Sequence, residues 1–298
     1  MTTFKIPEEK KIRVIINTDA KNEVDDQYAI VQALLTECFD LRGFIAAHFG
    51  EEKSEHSMLD SYDELMKLIA LMAIKKAVRV EKGAPKAMES EDEAVASEGA
   101  KLIVEEALNN DERPLYIAFL GPLTDMASAL LIAPEIQEKD IKVIWIGGRD
   151  WPQGGWEYNL SNDVNAANVV FKSKVELWQV PRNVYRMMPV SFAELSERVR
   201  PYGPIGKYLV DSVIDFNNVA IKRPAEYRIL GDSPAIGLIM YEDCGKWSEK
   251  TAPSFDEEMK YVHGDQGRKI RVYETIDPRF IMEDFYAKIS RFHKSDLL

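Results

Sequence analysis

Short apolar runs recur along the chain, and a longer stretch with helical spacing of apolar residues follows most of them. The runs predict strands at 13–16, 41–47, 115–120, 141–146 and 175–180. The later stretches predict helices at 27–36, 58–74, 124–131, 194–199, 205–218 and 234–240. Strands that alternate with helices predict an α/β fold, in which a mostly parallel, Rossmann-like sheet is covered by helices on both faces.

The end of the chain predicts a pair of strands from residue 269 onward and a final helix at 278–291. Neither a repeat of fixed period nor a low-complexity linker divides the sequence, so we expect a single domain over residues 1–298. Two stretches are rich in charge. We interpret 50–56 as a solvated loop, and 81–98 as plain surface in preference to a lid beside a site.

Charge and cysteine content indicate which partners and which compartment to expect. The formal charge is -12, from 38 Lys and Arg against 50 Asp and Glu, which argues against nucleic acid or an anionic membrane as the main partner. Cys38 and Cys244 are too far apart for a disulfide framework or zinc-ligand spacing. The N-terminal residues lack the apolar core of a signal peptide, and the longest apolar stretch, 65–74, is too short to span a membrane. We therefore expect a reduced, cytoplasmic setting.

Three aspartates, Asp19, Asp25 and Asp26, lie within eight residues of each other after the first predicted strand. They fall where the strand ends and a helix begins, and ligands of open α/β sheets bind beyond such strand ends. Like charges this close repel unless a proton, a cation or water separates them, and hard cations such as calcium prefer carboxylate oxygens. A helix N-cap would explain Asp25 or Asp26 alone. It does not explain Asp19, and the loop also holds Glu23, so we interpret this segment as a metal-binding or catalytic loop.

Two other segments have simple explanations as well as functional ones. L-G-P-L-T-D at residues 120–125 is typical of a turn with Thr124 as the cap of the next helix. A backbone carbonyl at such a turn can also complete the coordination shell of a metal. Asp232 precedes an apolar helix, and on its own it is explained as another N-cap.

The long loop at 147–163 combines aromatic and polar residues. Trp151 and Trp156 lie close in sequence to Glu157 and Asn159, a mixture typical of sugar or base recognition, although packing alone would explain the tryptophans. Glu157 and Asn159 are two residues apart, so they would point the same way in an extended segment.

These four segments, in this order, resemble the inosine-uridine preferring nucleoside hydrolase family. The family's first motif, D-T-D-P-G-x-D-D, matches N-T-D-A-K-N-E-V-D-D at 17–26 at its start and its end, and L-G-P-L-T is intact at 120–124. The family's E-F-N and D-P-E-A-A correspond to E-Y-N at 157–159 and D-V-N-A-A at 163–167, and its H-D-P segment to G-D-S-P at 231–234. The matches span residues 12–240, and the four in register form a specific signal.

The resemblance implies the nucleoside hydrolase fold, a bound calcium ion, and hydrolysis of an N-ribosidic bond through an oxocarbenium-like transition state. Asp19 would be the general base that activates a calcium-bound water. The groups at the metal would be Asp19, Asp26, Asp232 and the backbone carbonyl of Thr124. The ribose-binding side chains would be Asp25, Glu157 and Asn159. The partner would be a small nucleoside or riboside, and the enzyme a homo-oligomer, either a dimer or a tetramer.

The chain also departs from the family's pattern. Two extra residues lengthen the first motif, where Ala20 and Lys21 replace Pro-Gly, and Asn17 replaces an aspartate. Gly231 replaces the histidine that in many members lies near the leaving base. The metal site and water activation are therefore expected to be retained, whereas recognition of the leaving group is expected to differ.

Two residues are further candidates for the substrate-binding side of the pocket. His48 follows the second strand, where the family has an asparagine, and it is a candidate for the lost acid function. The alternative is a packed, hydrogen-bonded histidine with no catalytic role. Trp151 falls where another pocket asparagine is expected.

Three functions remain open from the sequence. The leading hypothesis is a calcium-dependent hydrolase of ribonucleosides or similar ribosides. The second is a hydrolase of a modified riboside or another glycoside on the same site, and the third is a ribose- or nucleoside-binding protein without catalysis. A phosphatase is disfavoured, because no glycine-rich phosphate loop with a partner lysine accompanies the aspartates.

Overall fold

The structure is a computed structural model that describes residues 6–74, 77–220, 225–264 and 267–296. The strands are β1 Ile12–Thr18, β2 Phe39–Ala46, β3 Val80–Lys82, β4 Leu115–Phe119, β5 Ile141–Ile146, β6 Glu176–Val180, β7 Pro189–Ser191, β8 Tyr227–Ile229, β9 Gly245–Thr251, β10 Ser254–Phe255, β11 Tyr261–Val262 and β12 Lys269–Ile276. The α-helices are α1 Asp26–Leu34, α2 Ser57–Met72, α3 Glu98–Leu108, α4 Thr124–Ile132, α5 Tyr158–Asn162, α6 Val164–Lys172, α7 Arg182–Tyr185, α8 Phe192–Arg198, α9 Gly203–Ala220, α10 Ser233–Met240 and α11 Pro278–Asp296. Short 3-10 turns lie at Glu8–Lys10, Pro134–Glu138 and Glu242–Cys244.

The main sheet has eight strands in the order β3-β2-β1-β4-β5-β6-β12-β9. Its neighbouring strands pair in parallel, except that β9 runs antiparallel to β12 at one edge. The chain builds outward from β1 through β2 to β3, then returns to place β4 on the other side of β1. The carboxyl ends of β1 and β4 therefore form a topological switch point, where open α/β sheets bind their ligands. The predicted α/β fold with a mostly parallel sheet is confirmed.

Alternate residues of β1 face opposite sides of the sheet and enter two separate cores. Val14 and Ile16 belong to a core that also contains residues of α1, α2, α9, α10 and α11 on one face. Ile15 belongs to a core that contains residues of α3, α4 and α6 on the other. The prediction of helices on both faces is thus confirmed. Among the described helices, none combines the length and the apolar character that crossing a membrane would require.

The structure corrects the prediction for the end of the chain. Only one of the two strands predicted from residue 269 onward lies there, namely β12, and its antiparallel partner is the earlier strand β9. The sequence of β9, G-K-W-S-E-K-T, has no apolar run, because this edge strand is largely solvent-exposed. The helices α3 and α6 were also missed from the sequence.

The charged stretch at 81–98 is anchored to the fold and is more than a solvated surface. It begins within β3, and further along its backbone is held by two buried carboxylates, one in α4 and one at the start of α6. The Ala84 amide donates to Asp125 at 2.9 Å, and the Met88 amide donates to Asp163 at 3.0 Å. The interpretation as plain surface is therefore wrong for this backbone, although many of its side chains are exposed.

Asp125 generates a test of this anchoring. Its buried carboxylate accepts hydrogen bonds from the Asn17 amide, the Ala84 amide and the Ser97 hydroxyl, at 2.8, 2.9 and 2.6 Å. Asp125→Ala would leave these buried donors unsatisfied, so we expect the free energy of unfolding to fall by about 2–5 kcal/mol. Urea unfolding measures this loss, with Asp140→Ala on the surface as control. Equal stability of the two variants would contradict the assigned role.

Candidate functional site

Two loops distant in sequence bring carboxyl groups together at the switch point of the sheet. Asp19 follows β1 directly, Asp25 and Asp26 begin α1, and Asp232 begins α10. Oxygen atoms of Asp25, Asp26 and Asp232 lie within 4.8 Å of one another. Asp19, Asp26 and Asp232 are each no more than 5% exposed. The residues predicted to form an acidic site therefore share one buried pocket.

The pocket has a defined lining that extends beyond these carboxylates. The lining residues are Asp19, Asn22, Glu23, Asp25, Asp26, Leu120, Ile146, Glu157, Tyr158, Asn159, Tyr185, Gly231 and Asp232. Asn22, Tyr158 and Tyr185 were missed from the sequence. Tyr158 lies between two predicted residues, and Tyr185 follows the end of β6, so strand-end position was the signal that could have found it.

Backbone geometry at the end of β4 determines where Asp19 can lie. A Cβ atom at Gly121 would be 2.9 Å from the Asp19 carboxyl carbon, so a larger residue there would displace the carboxylate. On its other side, the Asn22 amide donates to Asp19 at 3.3 Å. The glycine of the L-G-P-L-T segment thus permits close approach of the turn to the Asp19 carboxylate.

Hydrogen bonds orient the two aspartates at the start of α1. The Thr18 hydroxyl donates to Asp26, and the Gly231 amide donates to Asp25 at 3.0 Å. The second bond joins residues 206 positions apart, which ties the α10 loop to the α1 loop. The carboxylates are therefore held by groups from both loops.

Burial and mutual repulsion make these carboxyl groups hard to ionise. Burial, together with Asp26 and Asp25, raises the pKa of Asp19 well above its ordinary range, and burial with the same neighbours does so for Asp232. Burial and the neighbouring Glu23 and Asp26 raise the pKa of Asp25 to about 8. Burial raises the pKa of Asp26 only to about 6, because hydrogen bonds favour its charged form. The folded chain thus holds protons here that free aspartates would release.

A hard divalent cation fits this set of donors. The ligand atoms are carboxylate oxygens, which such cations prefer, and they converge within one cavity. A bound cation would also offset the repulsion that raises the pKa values of the aspartates. The residues present are therefore suited to a metal of this class.

Glu157 has a local role as well as a place in the pocket. It is the N-cap of α5, and its Oε2 accepts hydrogen bonds from the amides of Leu160 at 3.0 Å and Gly148 at 2.9 Å. Asn159 lies inside this short helix, so the extended geometry expected for the pair is wrong. Both side chains nevertheless line the pocket, because the helix begins at its edge.

Asn159 links the ends of two strands. Its side-chain nitrogen donates to the carbonyl of Leu120, at 2.7 Å, and to that of Ile146, at 2.8 Å. These carbonyls follow β4 and end β5, so the amide holds the two strand ends together. The side-chain oxygen is then the atom that Asn159 can offer to a ligand.

The side chains of His48 and Thr124 lie in a buried chain of hydrogen bonds and do not line the pocket. The Thr124 hydroxyl donates to Asp163 at 2.7 Å, and His48 Nε2 lies 2.8 Å from the same hydroxyl. The Gly50 amide donates to His48 Nδ1 at 3.3 Å, which assigns the proton to Nε2. Burial lowers the pKa of His48 to about 4, so the ring stays neutral. This is the packed, hydrogen-bonded arrangement weighed above as the alternative to an acid.

Trp151 belongs to a different cavity. Its indole nitrogen donates to Gln179 at 2.9 Å, and its ring packs against Tyr261 with centroids 5.0 Å apart. Together with His263 it lines a cavity of about 760 Å³, far larger than the acidic pocket of about 80 Å³. The structure therefore does not bring Trp151 to the carboxylates, and the chemistry of the lining, not cavity size, identifies the candidate site.

The lengthened first motif is anchored at several points. Lys21 forms an ion pair with buried Glu64 at 3.1 Å, and Glu23 pairs with Arg228. Lys53, from the exposed loop predicted to be solvated, donates to the side-chain oxygen of Asn22. The loop that the two extra residues lengthen is thus fixed by contacts at Lys21, Asn22 and Glu23, and Asn22 lines the pocket.

The sequence matches a known protein family over most of its length. Residues 14–262 match the family described as inosine-uridine preferring nucleoside hydrolase. A pyrimidine-specific ribonucleoside hydrolase, RihA of Salmonella paratyphi A, is 28% identical over 118 residues. That match covers 38% of this chain and only 37% of the relative's length.

Solved structures share the fold over nearly the whole chain. A plant nucleoside hydrolase has a TM-score of 0.77 at 16% identity, covering 93% of this chain and 98% of its own. A purine-preferring ribonucleoside hydrolase from Gardnerella vaginalis has a TM-score of 0.75 at 20% identity, covering 95% and 99%. At these identities the likeness concerns the fold.

The raised pKa values predict how stability depends on pH without a cation. Unfolded aspartates release their protons near 3.8, whereas Asp26 retains its proton up to about 6 and Asp25 up to about 8. The folded state therefore binds more protons in this window, and the free energy of unfolding should fall as pH rises from about 4 to about 8. Each retained proton contributes a slope of about 1.4 kcal/mol per pH unit.

Urea unfolding in chelator, compared with unfolding in calcium chloride, measures this effect. The cation should stabilise the protein more at pH 8 than at pH 5, because it replaces protons that are already being lost. Asp25→Asn should flatten the slope between pH 6 and 8. Stability in chelator that is constant or rises over this window would contradict the assigned protonation.

Proposed function

The chain belongs to the inosine-uridine preferring nucleoside hydrolase family, and from this premise we propose that it hydrolyses the N-glycosidic bond of ribonucleosides, releasing ribose and a base. The observation that carries the proposal is the buried group of carboxylates at the switch point, with Glu157 and Asn159 in the same lining. Family membership favours this function over the two alternatives, which are a hydrolase of a modified riboside or another glycoside and a ribose- or nucleoside-binding protein without catalysis.

Asp19 is assigned as the general base. Its carboxylate lies at the end of β1, between the Asn22 amide and the turn at Gly121. In its ionised form, which a bound cation would favour, Asp19 takes a proton from the attacking water at a carboxylate oxygen, while the water oxygen forms a bond to the anomeric carbon of ribose. The bond from that carbon to the base breaks, and the base leaves with the electron pair.

Three other side chains are assigned to the ribose. Asp25, Glu157 and the side-chain oxygen of Asn159 accept hydrogen bonds from its hydroxyl groups. Binding these hydroxyls orients the anomeric carbon toward the water, and such orientation accounts for much of the rate gained in a bimolecular step. Because Glu157 and Asn159 are themselves held by backbone groups, this orientation is set before the substrate binds.

We propose calcium as the cation, held by Asp19, Asp26, Asp232 and the backbone carbonyl of Thr124. When bound, a divalent cation supplies Lewis acidity that eases the deprotonation of water. Asp25 lies in the same cluster and can contact both the ion and the sugar.

The wider setting is part of the same proposal. We propose that residues 1–298 act as one domain, in a cytoplasmic homo-oligomer, on a free nucleoside and not on nucleic acid. The two free cysteines, Cys38 and Cys244, are compatible with a reducing compartment. The names of the relatives include both pyrimidine and purine preferences, so we propose ribonucleosides as the substrate class without naming a base.

Replacement of Asp19 tests the mechanism. Asp19→Ala should reduce kcat for ribonucleoside hydrolysis by about 100- to 10,000-fold, since general-base catalysis contributes on that scale. Calcium binding, measured by isothermal titration calorimetry, should remain detectable because the other ligands are intact. Asp92→Asn on the exposed surface is the control and should keep wild-type turnover. Full turnover of Asp19→Ala would sink the mechanism.

A substrate panel tests the reaction class. We expect release of ribose from purine or pyrimidine ribonucleosides, assayed beside nicotinamide riboside and 4-nitrophenyl riboside. The nitrophenyl group needs no protonation to leave, so it reports on water activation alone. Cleavage of that compound with none of the natural nucleosides would favour the other glycosidase. Ribose binding without any product would favour a binding protein.

A further inference from the structure

Tyr185 occupies a position in the pocket that the proposed mechanism does not use. It ends α7, just beyond the carboxyl end of β6, and it is partly buried. Its neighbours in the pocket lining include Glu157, Asp25 and Gly231. It therefore comes from a different strand end than the carboxylates and the 147–163 loop.

The hydroxyl group of Tyr185 fixes one oxygen of Glu157. It donates to Glu157 Oε1 at 3.0 Å, while Oε2 is held by the amides of Gly148 and Leu160. Burial and the nearby Glu157 charge raise the pKa of Tyr185, so the phenol keeps the proton that it donates. The Tyr185 hydroxyl thereby orients Oε1 of Glu157, the oxygen that those two amides do not hold.

The ring of Tyr185 fills the space beside Gly231. A Cβ atom at position 231 would lie 3.0 Å from Tyr185 Cδ2 and 3.2 Å from Asp25 Oδ2, closer than ordinary van der Waals contact. The Gly231 backbone cannot simply retreat, because its amide donates to Asp25 at 3.0 Å. A side chain at 231 and the ring at 185 therefore compete for one volume.

We propose that Tyr185 is a positioning residue for ribose binding, which orients Glu157 through its hydroxyl and depends on glycine at position 231 for the place of its ring. The proposal rests on the proposed function, because Glu157 is there assigned to the sugar. Tyr185 and Gly231 act as a pair, because the glycine leaves the space in which the phenol reaches Glu157.

Tyr185→Phe keeps the ring and removes only the hydroxyl group. Hydrogen bonds to charged groups are strong enough that we expect a rise of about tenfold in KM for the ribonucleoside and in Kd for D-ribose. We expect a much smaller change in kcat, since Asp19 is untouched. Tyr241→Phe, at a half-exposed site, is the matched control. Wild-type KM and Kd in Tyr185→Phe would overturn the proposal.

A double-mutant cycle tests the pair without using catalysis. Gly231→Ala should lower the midpoint of urea unfolding in the wild-type background, and by less in the Tyr185→Ala background, where the ring is gone. Equal shifts in both backgrounds would overturn the pairing. If the wild-type protein neither cleaves ribosides nor binds ribose, the proposed function fails, while this cycle still decides whether position 231 and the ring are coupled.

Discussion

Repulsion between buried carboxyl groups is the constraint on which the site depends. Asp19, Asp25, Asp26 and Asp232 line one pocket at the switch point, where burial would by itself favour their neutral forms. Chains rarely bury acids together without a partner charge, since the cost of desolvation is large. Here the buried acids lie in the crevice at the topological switch point, where open α/β sheets bind their ligands. The protonation of these groups then couples the stability of the fold to pH.

Holding such groups in place requires rigid surroundings, and contacts of the loops supply them. Lys21 pairs with Glu64 outside the pocket lining, and Glu23, which is part of the lining, pairs with Arg228. Asn159 holds the ends of β4 and β5 together through two backbone carbonyls. The polar groups that face the pocket are therefore held by protein contacts before a ligand binds, which limits the reorganisation that binding needs.

Beneath the pocket, a second set of buried polar residues supports these loops without entering the site. Asp125 joins the end of β1 to the stretch after β3, and Asp163 joins α6 to the same stretch and to Thr124. His48 belongs to this layer, as a neutral donor to the Thr124 hydroxyl. Asn17 and His48, which depart from the family pattern, thus lie among the residues that support the loops. Gly231, which also departs from it, lines the pocket itself.

The sequence by itself determined most of the parallel strands, several of the covering helices and the set of acidic residues, because apolar periodicity and strand-end position are local properties of the chain. It missed α3, α6 and the edge strand β9. Recognition of the four segments in order identified the family and brought Asp19 and Asp232 into one hypothesis. Only the tertiary structure decided which residues meet. In that structure Trp151 lines another cavity, β9 pairs with β12, and Tyr185 lies against Gly231. Such contacts depend on strand order and loop conformation, which are set by the whole packed fold and leave no local pattern in the sequence.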